Sequence, residues 1–154
     1  MGLFNDISLT DTDFFRAIIL YGGNTATYKF ALAESLISLA SKGKDYVRLE
    51  DLAAPFSEAM CRHLDIQDKQ ATNPSSSFLD KLRAFNRGEI SVEEKIDSTV
   101  RYGFRNVLDA FHVVGKNDVE VRFYHGERKS SQSAIRLTDE LLNMSAETES
   151  KDLL

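Results

Sequence analysis

Apolar residues recur at helical spacing over most of the chain. Phe14, Phe15, Ile18 and Ile19 follow the acidic segment 11–13 as one stripe, which predicts a first helix ended by Gly22 and Gly23. Asn24 or Thr25 then caps a second helix, in which Tyr28, Leu32, Leu36 and Leu39 share a face with Ala33, Ile37 and Ala40 beside it. An apolar sector that wide predicts a central helix covered by others. The period is helical again over 49–64, but Pro55 lacks an N–H, so a turn followed by a helix from about residue 55 is expected. Asn73 and Pro74 mark a loop, after which Phe78, Leu79, Leu82 and Phe85 form a stripe closed by Gly88. Ser91 and Glu94 have capping-box spacing, and Val92, Ile96, Val100, Phe104 and Leu108 predict one long helix to about His112 with Gly103 inside it.

After Gly115 the period changes from helix to strand. Val119, Val121 and Phe123 alternate with polar residues, and a second strand over 134–137 pairs back across a polar loop at 125–133. Thr138 caps a last helix over 139–144. The expected fold is mainly α, a multi-helix domain with a small C-terminal β-hairpin and a short last helix. Residues 1–144 form a single helical domain in this reading, and 145–154 a polar tail or the start of an interdomain linker.

Composition narrows the class. The 154 residues are 42% hydrophobic and 28% charged, which is ordinary globular usage. No window approaches a membrane span and the N-terminus does not read as a signal peptide, so a cytoplasmic protein is expected. Cys61 is the one cysteine, which excludes an intrachain disulfide and a cysteine-based metal cluster. The net charge of -5 is uneven: residues 81–136 carry 11 Lys+Arg against 8 Asp+Glu, and the rest carries 8 against 16. A polyanion contact therefore belongs to the later half.

Several groupings invite chemistry. His112, Asn117 and His125 occur in HNH order, but a ββα-metal site needs its base on a strand and its ligands on a following helix. A helix-end His112 and a solvated His125 in a hairpin loop are the expectation. Asp109, Glu120 and Arg122 are spaced like a nuclease motif whose lysine has become arginine, which cannot give up its proton. Asp97, Arg101, Arg105 and Asp109 step by four, so Asp97 can pair with Arg101 and Asp109 with Arg105 as a solvated stripe. The alternative is a phosphate-contacting set of Lys81, Arg83, Arg87, Arg101 and Arg105, joined by Arg122, Arg128, Lys129 and Arg136 if the hairpin folds onto the same side. The 22–25 loop, with Lys29 one turn on, lacks the ending of a P-loop and reads as a tight helix–helix turn. Cys61 and His63, two apart on a helix, face different ways and make neither a metal site nor a catalytic pair.

One resemblance spans residues 12–144. It is carried by Phe15-Arg16-Ala17-Ile18-Ile19-Leu20-Tyr21-Gly22, Asn24-Thr25-Ala26-Thr27-Tyr28-Lys29-Phe30-Ala31-Leu32, Asp109-Ala110-Phe111, Val121-Arg122-Phe123-Tyr124 and Ile135-Arg136-Leu137-Thr138-Asp139-Glu140-Leu141-Leu142. On these segments the chain resembles the N-terminal helical region of bacterial HNH endonuclease proteins of the restriction or phage-defence type. In that family the HNH domain follows the helical region, and its catalytic residues correspond to no position here. The resemblance implies a non-catalytic module, with no catalytic residue, metal or cofactor of its own, that positions DNA or a nuclease domain or partner chain. The alternative is a protein–protein interaction or assembly module that binds no nucleic acid.

Overall fold

The computed structural model describes residues 10–21, 26–67, 76–129 and 132–151. Helix α1 (Asp11–Leu20) opens on a capping box: the Asp13 N–H donates to Thr10 Oγ1 at 3.2 Å and the Thr10 N–H to Asp13 Oδ2 at 2.9 Å. Helix α2 (Ala26–Ser41) is apolar almost all round, and Ala31, Leu32, Ala33, Leu36, Leu39 and Ala40 are buried. It lies at the centre, packed by α1, α3 (Leu49–Gln67) and α6 (Asp139–Lys151), as its wide apolar sector predicts. The expected caps at Asn24 and Thr25, the 22–25 turn and the Asn73–Pro74 loop lie outside the described residues.

α3 runs through Pro55 rather than starting there. Leu52 and Ala53, ahead of the proline, are fully buried beside Phe56, Ala59 and Met60. That burial holds the first turns helical although the proline offers Asp51 no N–H. Helix α4 (Ser77–Asn86) is capped by Ser76, whose hydroxyl accepts from the Leu79 N–H at 3.3 Å. Gly88, at φ +75°, turns the chain out of it.

Helix α5 starts at the expected cap, with the Glu94 N–H donating to Ser91 Oγ at 3.1 Å, but ends far short of His112. It spans Val92–Arg101 and gives way to a 3-10 turn, Gly103–Asn106. Gly103, the first residue of that turn, packs tightly against α4. A Cβ on Gly103 would lie 2.7 and 2.8 Å from two ring carbons of Phe78, so the residue serves a close approach of the 3-10 turn to α4. Phe104 then turns into the core with its ring centroid 5.2 Å from that of Phe56.

The hairpin is present but displaced along the chain. Residues 119–123 are not a strand, because His112 takes two of their amides: its carbonyl accepts from the Val119 N–H at 2.8 Å and its Nε2 from the Phe123 N–H at 2.9 Å. The strands are β4 (Tyr124–Lys129) and β5 (Gln132–Leu137), so His125 lies in a strand rather than a loop. β5 also pairs with β1 (Tyr46–Arg48), giving the antiparallel order β1-β5-β4 with Val47 opposite Ile135 and Ile135 opposite Gly126. Val47, Tyr124, Ile135 and Leu137 are buried under the helices. A separate two-stranded ladder joins β2 (Val113–Val114) to β3 (Asn117–Asp118) around Gly115, at φ +66°.

α6 begins at the Thr138 cap and continues to Lys151, seven residues past the expected end. Leu141, Met144 and Ser145 are buried, and Ser145 Oγ donates to the Ile37 carbonyl at 3.3 Å. The chain is thus a mainly helical domain with a small antiparallel sheet near the C-terminus and a last helix after it. No helix among the described residues is long and apolar enough to cross a membrane.

Candidate functional site

His112 is 1% exposed and does not stand at the end of an α-helix as expected. Its ring stacks on Phe123 at 6.0 Å between centroids and meets Phe111 edge-on at 5.2 Å. Nε2 accepts the Phe123 N–H, which leaves the ring proton on Nδ1. Burial, together with the nearby basic side chains of Arg122, His125 and Lys29, lowers its pKa to about 3. The imidazole is a neutral structural acceptor, with its lone pair committed to the backbone.

Asn117 pairs in the β2–β3 ladder, and the His125 side chain is exposed. The three members of the HNH-order group therefore have three different surroundings. In the second grouping, Asp109 and Glu120 are exposed, whereas Arg122 is half-buried with Nη2 3.4 Å from the Tyr124 carbonyl and Nε buried without a hydrogen-bond partner. Tyr124 donates its hydroxyl to the Leu108 carbonyl at 2.7 Å, and burial raises its pKa.

Lys29 is committed within the fold. It is 2% exposed and its Nζ donates to the Val113 carbonyl at 2.7 Å, tying α2 to β2, while burial lowers its pKa. Cys61 is buried, which raises its thiol pKa, and its carbonyl accepts from Asn86 Nδ2 at 3.2 Å. His63 sits 3.8 Å from Glu34 and edge-on to Phe30. No cluster of three or more His, Cys, Asp or Glu side chains suited to a metal ion occurs among the described residues.

The five cations of the phosphate-contact reading all ride on α4, α5 and the turns that close them, but they do not share one face. Arg83 and Arg87, one turn apart, line a groove of about 250 Å³ with Leu64, Asp65 and Asn86 on the side of α3. Lys81 is two residues before Arg83, about 200° round the helix, and is exposed. Three of the five meet carboxylates: Arg83 with Asp80 at 2.9 Å, Arg87 with Glu89 at 2.8 Å and Arg101 with Asp97 at 3.2 Å. The last is the predicted i,i+4 pair. The helix break at Gly103 removes the spacing that would set Arg105 against Asp109, and the Arg105 guanidinium lies over the Tyr102 ring at 5.3 Å instead.

Arg136 is held apart from this set by Glu127 at 2.5 Å and Asp45 at 3.5 Å, on the outer face of the sheet. The side chains of Arg128 and Lys129 lie outside the described ones. Tyr102, the ring on which Arg105 rests, escapes a reading that runs one helix through it. The signal for it was an aromatic residue between two arginines and directly before a glycine. No protein-family model, curated protein or solved structure matches the chain.

Proposed function

We propose that the chain is a non-catalytic module that holds DNA, or holds a nuclease partner on DNA, like the helical region of the bacterial HNH restriction and phage-defence proteins it resembles. The observation that carries this reading is the placing of Lys81, Arg83, Arg87, Arg101 and Arg105 along one α4–α5 segment of an otherwise acidic chain. His112, the histidine best suited by sequence order to act as a base, is spent inside the core and supports a structural role there. Contacts of this kind fix the position of a nucleic acid without reading its bases. Asp80, Asp97 and Glu89 lie among the cations and reduce their field, so binding is weak and salt-sensitive.

Fluorescence anisotropy with labelled DNA over a salt series tests the reading. Log K should fall by about 0.9 per log unit of salt for each phosphate neutralised on a duplex. Arg101→Ala with Arg105→Ala should lower both the affinity and that slope, while Lys42→Ala with Lys44→Ala should change neither. Binding that survives the arginine pair with an unchanged slope places the surface elsewhere, and absence of binding at low salt removes the nucleic-acid reading. Plasmid DNA should stay intact with Mg²⁺, Mn²⁺ or Zn²⁺. Metal-dependent cutting abolished by Asp109→Ala would overturn the non-catalytic assignment.

A second reading, an assembly module without nucleic-acid binding, is favoured by the exposed Leu20 and Tyr21 at the end of α1 and Ile66 near the end of α3. A monomer by light scattering across a wide concentration range would count against self-assembly through them.

A further inference from the structure

Tyr102 stands where α5 ends, and its position is fixed from both sides. Its backbone N–H bonds back to the carbonyls of Ser98 and Thr99. Beyond it, Gly103 is pressed against the Phe78 ring and Phe104 is buried beside Phe56. The Tyr102 side chain is nevertheless 40% exposed. An aromatic ring thus projects from a rigid point of the fold. Arg105 lies over that ring, and no carboxylate pairs with Arg105 among the described residues. Arg101 precedes the ring. It is 66% exposed, and its partner Asp97 is 62% exposed, so the pair is solvated and readily exchanged.

We infer that Tyr102, flanked by Arg101 and Arg105, is a stacking point for an unpaired base, so that the nucleic acid held by this module is single-stranded. The inference rests on the nucleic-acid reading above and names its substrate class. A single strand offers base faces that a duplex keeps stacked inside itself, and an exposed aromatic ring beside arginines is the surface that takes them. The acids among the cations weaken a ladder of phosphate contacts, the main source of duplex affinity, but they leave stacking on a tyrosine intact. The spread of Lys81, Arg83 and Arg87 over different sides of α4 also suits a flexible strand better than a straight duplex.

The test compares a labelled oligothymidylate with a duplex of the same length. The single strand should bind more tightly. Tyr102→Ala should weaken it roughly tenfold and leave the duplex unchanged, while Tyr102→Phe should bind like the parent. The chain has no tryptophan. Tyr102→Trp therefore supplies a single reporter, whose emission should be quenched in step with the anisotropy as the oligomer binds. This readout stands even if Tyr102→Ala melts early. A Tyr102→Trp emission that stays unmoved at saturation, or single-strand affinity untouched in a folded Tyr102→Ala, overturns the stacking point. Duplex binding that needs Arg101 and Arg105 would then leave the broader reading in place, and failure to bind either DNA would overturn both.

Discussion

Gly103→Ala sets two effects of known size against each other. On sequence grounds a glycine in an amphipathic helix costs about 1 kcal/mol relative to alanine, so the substitution should stabilise the protein. The structure reverses the sign. The new Cβ would meet Phe78 Cζ at 2.7 Å and Cε1 at 2.8 Å, inside any tolerable carbon–carbon contact. Phe78 cannot step aside easily: it is buried, stacked on Phe56 at 6.4 Å and tilted against Tyr28 at 6.2 Å between centroids. Overpacking of this kind costs about 1–3 kcal/mol, against which relief of glycine's entropy returns about 0.4–1. The expected net loss is about 1–2 kcal/mol. For a chain of this size that is a fall of roughly 2–8 °C in Tm. Urea melts followed by far-UV circular dichroism measure it, and a double-mutant cycle with Phe78→Leu isolates the contact. In the Phe78→Leu background, where the ring is gone, Gly103→Ala should be neutral or stabilising. A gain in stability from Gly103→Ala in the parent protein would refute the steric account of Gly103.

Two further outcomes concern stability. The folded-state pKa of His112, about 3, lies below its ordinary 6.5, so the unfolded chain takes up a proton before the folded one. The stability held by the neutral ring is full above about pH 6.5 and drains away as pH falls toward 3, by at most about 1.4 kcal/mol per pH unit. Urea midpoints across that window should flatten in His112→Gln, and an unchanged slope would show that other groups carry the acid sensitivity. Leu141→Ala should cost about 2–5 kcal/mol, since Leu141 is fully buried where α6 meets the core. A Tm within a degree or so of the parent would mean that α6 is not part of the cooperative unit.

The helices α1 and α4 were legible because each carries its own cap and its own apolar stripe, and α2 because its apolar sector is so wide, so local chemistry and tertiary burial agree. Segment 119–123 was not. Its alternation of Val119, Val121 and Phe123 imitates a strand, yet its amides go to His112, and the pairing begins one residue later at Tyr124. β4 itself, Tyr-His-Gly-Glu-Arg-Lys, carries little apolar signal, because beyond Tyr124 the buried apolar side chains of that hairpin come from β5. β1 is three residues long and is a strand only through a partner some ninety residues away, beyond the reach of periodicity. The candidate surface was half legible. The cations were in view, and so was the Asp97–Arg101 pair. The separation of Arg83 and Arg87 from Lys81 follows from the geometry of α4, whereas the seat of Arg105 on Tyr102 depends on a helix break at Gly103 that the apolar pattern runs straight through.

The pairing of β1 with β5 also bears on the order in which the molecule comes together. Helices α2 and α3 flank β1 directly in the chain, and their packing is available as soon as both have been made. The edge that β1 offers stays unpaired until Ala134, Ile135 and Arg136 arrive, and closing that span is an entropic step that contacts near in sequence do not face. During synthesis, Val47 and the α2 surface later covered by α6 therefore remain open while some ninety residues are added. The last quarter of the chain is the lid of the hydrophobic core, and truncation within it would leave a helical body that is formed but unsealed, with the adhesive surface that such bodies carry.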